Sequence, residues 1–194
     1  RSWDKPEPSQ AEGNSAAAQD AGNSKGSDGQ SSDQATAPGR DSVATALHRE
    51  IAENLGKAKG KLASDIEVKA VGEGLLVSLT ESADFEMFKT GSAEPEPQML
   101  TLVKAVADAL KSRHGNIIVR GHTDSRPYRN KYYDNWQLST ARANLARYML
   151  IRGGLDSKRI RRVEGVADLE PRNAKDPQAP ENRRIEIFIG DVTP

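Results

Sequence analysis

Cysteine is absent from this chain of 194 residues. That excludes disulfides, thiol catalysis and cysteine-based metal sites, and it leaves the compartment open. Histidine is scarce: His48, His114 and His122 are the three present. They are too dispersed for a zinc centre, which takes three or four ligands, so neither a metal nor another cofactor is expected. Ser139 is not framed by a Gly-x-Ser-x-Gly elbow, so a hydrolase built from Ser139, His122 and Asp124 lacks its surroundings. A glycoside hydrolase would need two carboxylates flanking one bond. Asp124 has Asp134 nearby in sequence, but Asp134 falls in a tyrosine-rich polar loop and reads as solvated. These absences point away from an enzyme, and they leave His122 a structural role, packed beside a site and bonded to backbone.

Long apolar runs are missing too. Nothing in the chain is continuous enough to span a bilayer, and no signal peptide is recognisable. The opening Arg-Ser-Trp-Asp-Lys-Pro reads as the interior of a longer protein, with any membrane anchor upstream of Arg1. Residues 1–42 contain no aliphatic side chain larger than alanine. Such a segment cannot bury enough apolar surface to offset its ordering entropy, so it reads as a disordered, flexible linker.

Neither sign of charge is in excess, with 28 Lys and Arg against 28 Asp and Glu, but the distribution is uneven. Residues 1–42 carry four basic and seven acidic side chains, whereas residues 113–163 carry twelve basic and three acidic ones. The basic stretch predicts anionic or carboxylate-bearing partners. The acidic leader and the neutral total argue against nucleic acid.

Periodicity then lays out a domain. Asp41-Ser42 can cap a helix, and Val43, Leu47, Ile51 and Leu55 repeat every four residues behind it. A linker helix over 43–64 follows, its apolar stripe free to pack on the domain or on a second copy. Ile66, Val68 and Ala70 alternate, Gly72-Glu73-Gly74 turns, and Leu75, Val77 and Leu79 alternate again, which predicts a hairpin. A loop with Phe85 and Phe88 leads to a helix near 98–113, striped by Met99, Leu102, Val103, Val106 and Leu110. A strand at Ile117–Arg120, a helix opening near Asn135, a short strand at 159–163 and an apolar strand at 185–189 complete a two-layer α/β sandwich.

The informative stretch is Asn116–Arg142. A strand delivers Thr123 and Asp124 to its carboxyl end, the edge where open α/β sheets bind ligands. The next helix carries Leu138, Arg142, Leu145 and Met149 on one stripe. An arginine on an apolar stripe keeps its charge and needs a partner for its donor fork. Two arrangements satisfy it: an internal Asp124–Arg142 salt bridge, or one zwitterionic ligand whose ammonium meets Asp124 and whose carboxylate meets Arg142.

Three ordered motifs are specific together. They are Gly121-His122-Thr123-Asp124, Asn135-Trp136-Gln137-Leu138-Ser139-Thr140-Ala141-Arg142-Ala143 and Asn182-Arg183-Arg184-Ile185-Glu186-Ile187. In them residues 65–190 resemble the OmpA-like peptidoglycan-binding domain. Within that family the Asn135-Trp136 pair, Gly165–Asp168 through Pro171, Asp176-Pro177 and Pro180–Ile185 resemble most the periplasmic region of flagellar stator subunits. The resemblance implies a mixed four- to five-stranded sheet with helices on one face. It also implies non-catalytic binding of peptidoglycan through stem peptides carrying meso-diaminopimelate, with Asp124 and Arg142 as the ligand-binding pair. Around them Thr123, Asn135, Leu138, Ser139 and Arg183 are the expected site residues. Asn135 would cap the helix, Leu138 and Ser139 would line the pocket, and Arg183 would reach a glycan or carboxylate or hold a loop. Pro127–Lys131 reads as an insertion relative to several members. The implied partners are peptidoglycan, a second copy in a homodimer and a membrane-embedded stator subunit, with the domain periplasmic and anchored in the inner membrane. The alternative is an envelope tether joining the outer membrane to the wall with no motor.

Overall fold

The computed structural model describes residues 38–56, 60–127 and 133–190. Residues 1–37 of the linker expected over 1–42, most of the expected insertion and the chain's last four residues lie outside them.

Helix α1 is Pro38–Leu55, so it begins several residues before the Asp41-Ser42 cap expected from sequence. It stops at Gly56, whose φ of 72° is left-handed and whose N–H returns to the Glu53 carbonyl, a glycine stop of the usual kind. The expected continuation to residue 64 is broken there, and α2 is a single turn, Gly60–Ala63. Strands β1 (Ile66–Val71) and β2 (Gly74–Thr80) form the predicted hairpin. Gly72, at φ 53°, supplies the positive φ that a two-residue turn requires. Helix α3 is Pro97–Lys111, and its predicted stripe is fully buried. Then come β3 (Asn116–His122), α4 (Asn135–Arg152), β4 (Ile160–Gly165) and β5 (Arg184–Gly190).

The sheet order is β1-β2-β5-β3-β4. All neighbours are antiparallel except β3 and β4, which pair in parallel across the α4 connection. Strand β5 therefore sits in the middle, as its apolar run suggests. Ile185, Ile187 and Ile189 face the helices together with Val77, Leu79, Ile117 and Val119. Leu76, Phe188, Ile118, Arg120 and Glu186 share the opposite face.

Helix α1 packs on α3 and β1. Leu47, Ile51 and Leu55 belong to the domain core, and only Val43 of the stripe is exposed. The homodimer expectation, so far as it came from a free stripe, loses that basis: the chain covers the stripe itself.

Register fixes what meets at each end of the sheet. Thr80, Arg184 and His122 lie in one cross-strand row. The residues just beyond that row, Glu81, Arg183 and Thr123-Asp124, are brought together at one edge. The hairpin turn, Gly190 and Asn116 lie at the other.

Candidate functional site

The edge beyond β3 holds a cluster of buried charge. Asp124 is 6% exposed. Its Oδ1 accepts the Arg126 backbone N–H at 3.1 Å, and its Oδ2 accepts from Arg183 Nη1 at 2.7 Å. Arg126 Nε stands 3.6 Å from the same oxygen at the exposed rim. Arg183 also donates from Nε to Glu81 Oε2. Glu81 is 2% exposed, and its Oε1 accepts the Met87 backbone N–H at 3.1 Å. Burial alone would lower the Arg183 pKa, but its bonds to Glu81 and Asp124 outweigh that and raise it.

Arg142 is 3% exposed. Its Nε donates to the Ser92 carbonyl at 3.0 Å, and its guanidinium lies 4.8 Å from the centre of the Phe88 ring, a cation–π distance. No salt bridge joins it to Asp124 or to any other carboxylate among the described residues. Of the two arrangements left open by the sequence, the internal Asp124–Arg142 pair is thus not formed, and Arg183 takes that place. Burial pushes the Arg142 guanidinium below its ordinary value, against the opposing charges of Glu81 and Asp124.

The elements explain why these groups converge. A Cβ on Gly121 would lie 2.3 Å from the Ser139 carbonyl oxygen, and one on Gly165 would lie 2.1 Å from Thr140 Oγ1. The two glycines are parallel partners in β3 and β4. Together they let the first turns of α4 rest directly on the strand backbones, which brings the Arg142 turn toward Asp124. Ser139, fully buried, donates to the Trp136 carbonyl and accepts the Ala167 N–H, both at 3.0 Å. The Ala167 carbonyl accepts the Thr123 N–H at 2.9 Å. Ala167 holds a left-handed φ of 54°, a strained position for a residue with a Cβ. Ser139 therefore ties α4 to the loop under Thr123. Thr123 Oγ1 is buried with no hydrogen-bond partner among the described residues.

Asn135 is the first helical residue, not the cap. Asp134 caps α4, its side chain accepting from Trp136 and Gln137 N–H while Gln137 returns to the Asp134 N–H, a capping box. Asp134 is exposed but engaged, which corrects its reading as a merely solvated loop residue. Asn135 does orient the site, donating to the Asp124 carbonyl at 3.2 Å and the Arg126 carbonyl at 3.4 Å. Leu138 is buried beneath α4.

Among the described residues the His122 side chain makes no bond to backbone. Its Nε2 stands 3.2 Å from Glu186 Oε2, an ion-pair distance without hydrogen-bond alignment. Among the described residues no three His, Asp or Glu side chains gather as a metal centre requires.

The structure thus unites Thr123, Asp124, Asn135, Leu138, Ser139, Arg142 and Arg183 at one edge and adds Glu81, Phe88, Ser92 and Ala167. Glu81 had one sequence signal: it is a carboxylate placed directly after the alternating apolar strand β2.

A mixed sheet with two glycines seating a helix carries an Asp–Arg–Arg cluster beyond its central strands. Residues 87–185, about half of the chain, match the OmpA family, and the chain belongs to that family. Motility protein B of Escherichia coli K12 is 39% identical over 126 residues, covering 64% of this chain and 41% of that protein. This chain therefore spans well under two thirds of that relative's length. The cell wall anchor of the T6SS from Pseudomonas aeruginosa superposes with a TM-score of 0.57 at 31% identity, over 73% of this chain and 97% of that one. A putative MotB-like protein from Desulfovibrio vulgaris gives a TM-score of 0.62 at 18% identity, over 78% and 96% of the two chains, a likeness of fold.

Proposed function

We propose that this chain is the periplasmic, peptidoglycan-binding region of an ion-driven flagellar stator subunit, and that it fixes the subunit to the cell wall without catalysis. The observation that carries the reading is Arg142: a buried guanidinium with a backbone carbonyl and an aromatic face but no carboxylate partner among the described residues, close to Asp124. A desolvated cation of this kind favours an anionic group brought in from outside. The diaminopimelate end of a wall stem peptide presents a carboxylate to Arg142 and an ammonium to Asp124, where it shares the carboxylate with Arg183. A lysine in that place would leave Arg142 unpaired, which is the source of specificity.

The identity with Motility protein B supports the motor context. In that context an inner-membrane anchor lies N-terminal to this region and a membrane-embedded partner subunit completes the stator. No helix among the described residues is long and apolar enough to cross a membrane. The likeness to a cell wall anchor of another machine favours one further reading, a wall anchor serving a different envelope assembly. Motility of stator-deleted cells carrying the full-length gene separates the two.

The site itself is tested by sedimentation with purified sacculi. Asp124→Ala and Arg142→Ala are each expected to weaken binding by about 2–5 kcal/mol, the range for removing one partner of a desolvated charge pair. Folded variants that sediment like the parent would overturn the assignment.

A further inference from the structure

Glu81 is the more deeply buried of the two buried carboxylates of the cluster. It lies beneath Arg183, held by the Met87 N–H and by Arg183 Nε. Met87, which it holds, leads directly into Phe88, whose ring lies against the Arg142 guanidinium. Among the described residues of the cluster two guanidinium groups, Arg142 and Arg183, are balanced by two buried carboxylates, Asp124 and Glu81. Arg126 stands outside this balance, at the exposed rim, where solvent screens it.

We infer that Glu81 sets the charge selectivity of the site, acting through Arg183 and Arg142 as their resident counter-ion, so that a ligand end is accepted when it brings an ammonium together with its carboxylate. The inference rests on the proposed binding of such a zwitterionic end. With Glu81 in place the four charges sum to zero, and a zwitterion leaves the sum unchanged. A carboxylate alone adds an uncompensated negative charge next to Asp124 and Glu81 in a poorly solvated setting, where Coulomb energies fall off slowly. Without Glu81 the cluster is positive, and a plain carboxylate becomes acceptable. Glu81 is a positioning residue in this scheme: it selects the ligand without touching it.

The test compares two probes, a stem tripeptide blocked at its N-terminal amine and ending in meso-diaminopimelate, and the same blocked tripeptide with the diaminopimelate amine acetylated. Both are titrated calorimetrically into the whole chain. The parent is expected to favour the free amine by at least about 30-fold, and Glu81→Gln to reduce that ratio about tenfold, as expected for one nearby charge at an intermediate effective dielectric. The reduction should come from tighter binding of the acetylated probe. A purely structural role for Glu81 would weaken both probes together and leave the ratio alone. Glu81→Asp keeps the charge and is expected to hold the ratio within about threefold of the parent. An unchanged ratio in folded Glu81→Gln overturns the inference while leaving the proposed function standing. If Glu81→Gln does not fold, Glu81→Ala, which also removes the charge, decides: a ratio reduced about tenfold supports the inference and a parent-like one overturns it. A parent that does not distinguish the probes defeats the zwitterion reading itself, and this inference with it.

Discussion

Glu186 shows how individual residues behave on the face of the sheet away from the helices. Burial by itself would raise its pKa, but the contact with His122 and the bond from Arg184, 2.8 Å long, outweigh burial and bring it from 4.5 down to about 2. A carboxyl group whose folded pKa is depressed stabilises the fold above its unfolded pKa, and that contribution disappears as pH falls through the folded value. The loss should therefore run from about pH 4.5 to about pH 2. Glu186→Gln is expected to flatten that part of a stability–pH curve measured by urea unfolding. If the parent and variant lose stability in parallel over this window, the linkage assigned to Glu186 is wrong. Arg142 marks the limit of what sequence exposes at this scale. Its place on an apolar stripe is local, four residues from Leu138, and so it can be read from helical spacing. Its surroundings cannot be read that way: Ser92 and Phe88 lie 50 and more residues away in sequence. That Asp124 would pair with Arg183 depends on β5 lying between β2 and β3, a non-local pairing that no motif spells out.

Among elements, α4 and its seat on β3 and β4 decide the geometry of the site. Gly121→Ala puts a methyl group 2.3 Å from a backbone oxygen that cannot rotate away, so α4 must shift. The expected cost is about 1–3 kcal/mol of stability, as for other overpacked cores, together with weaker sacculus binding as Arg142 moves. A variant with parent-like melting would show that the seam yields more easily than its geometry implies. Ser139→Ala removes the acceptor for the buried Ala167 N–H and should cost about 1–3 kcal/mol, again read by thermal unfolding. The helices, strands and hairpin were legible because periodicity and turn residues are local signals. Their ends were less so. Asn135 and Asp134 are both competent caps, and only the reciprocal bonds with Gln137 choose between them. Helix α1 starts early because Pro38 suits a first turn, where its missing N–H costs nothing.

At the scale of the whole molecule, α1 belongs to the domain. Leu47→Ala or Ile51→Ala should therefore cost about 2–5 kcal/mol, the range for emptying a buried aliphatic site. Deleting residues 1–30, which hold no aliphatic side chain beyond alanine, should change stability by less than about 1 kcal/mol. Calorimetric melting of both variants checks the pair, and the reverse ranking would mean that α1 is an appendage. The way α1 lies also governs how the domain meets a mechanical load. Arg40, near its start, bonds to the Gly72 carbonyl and to Glu73 at the hairpin turn, at the end of the sheet far from Asp124. Strand β1, which follows, begins with Ile66 in the row next to Thr80 and Arg184, at the near end. In the proposed anchoring role, with α1 docked, a pull on the chain ahead of it would enter at the far end while a wall ligand would resist at the near end. The tension then runs along the strands, and the ladder hydrogen bonds, which lie across the strands, are sheared together. Once α1 peels away, the same pull acts on Ile66 beside the site and can unzip β1 from β2 one bond at a time. Docked, the helix is the part that turns a peeling force into a shearing one.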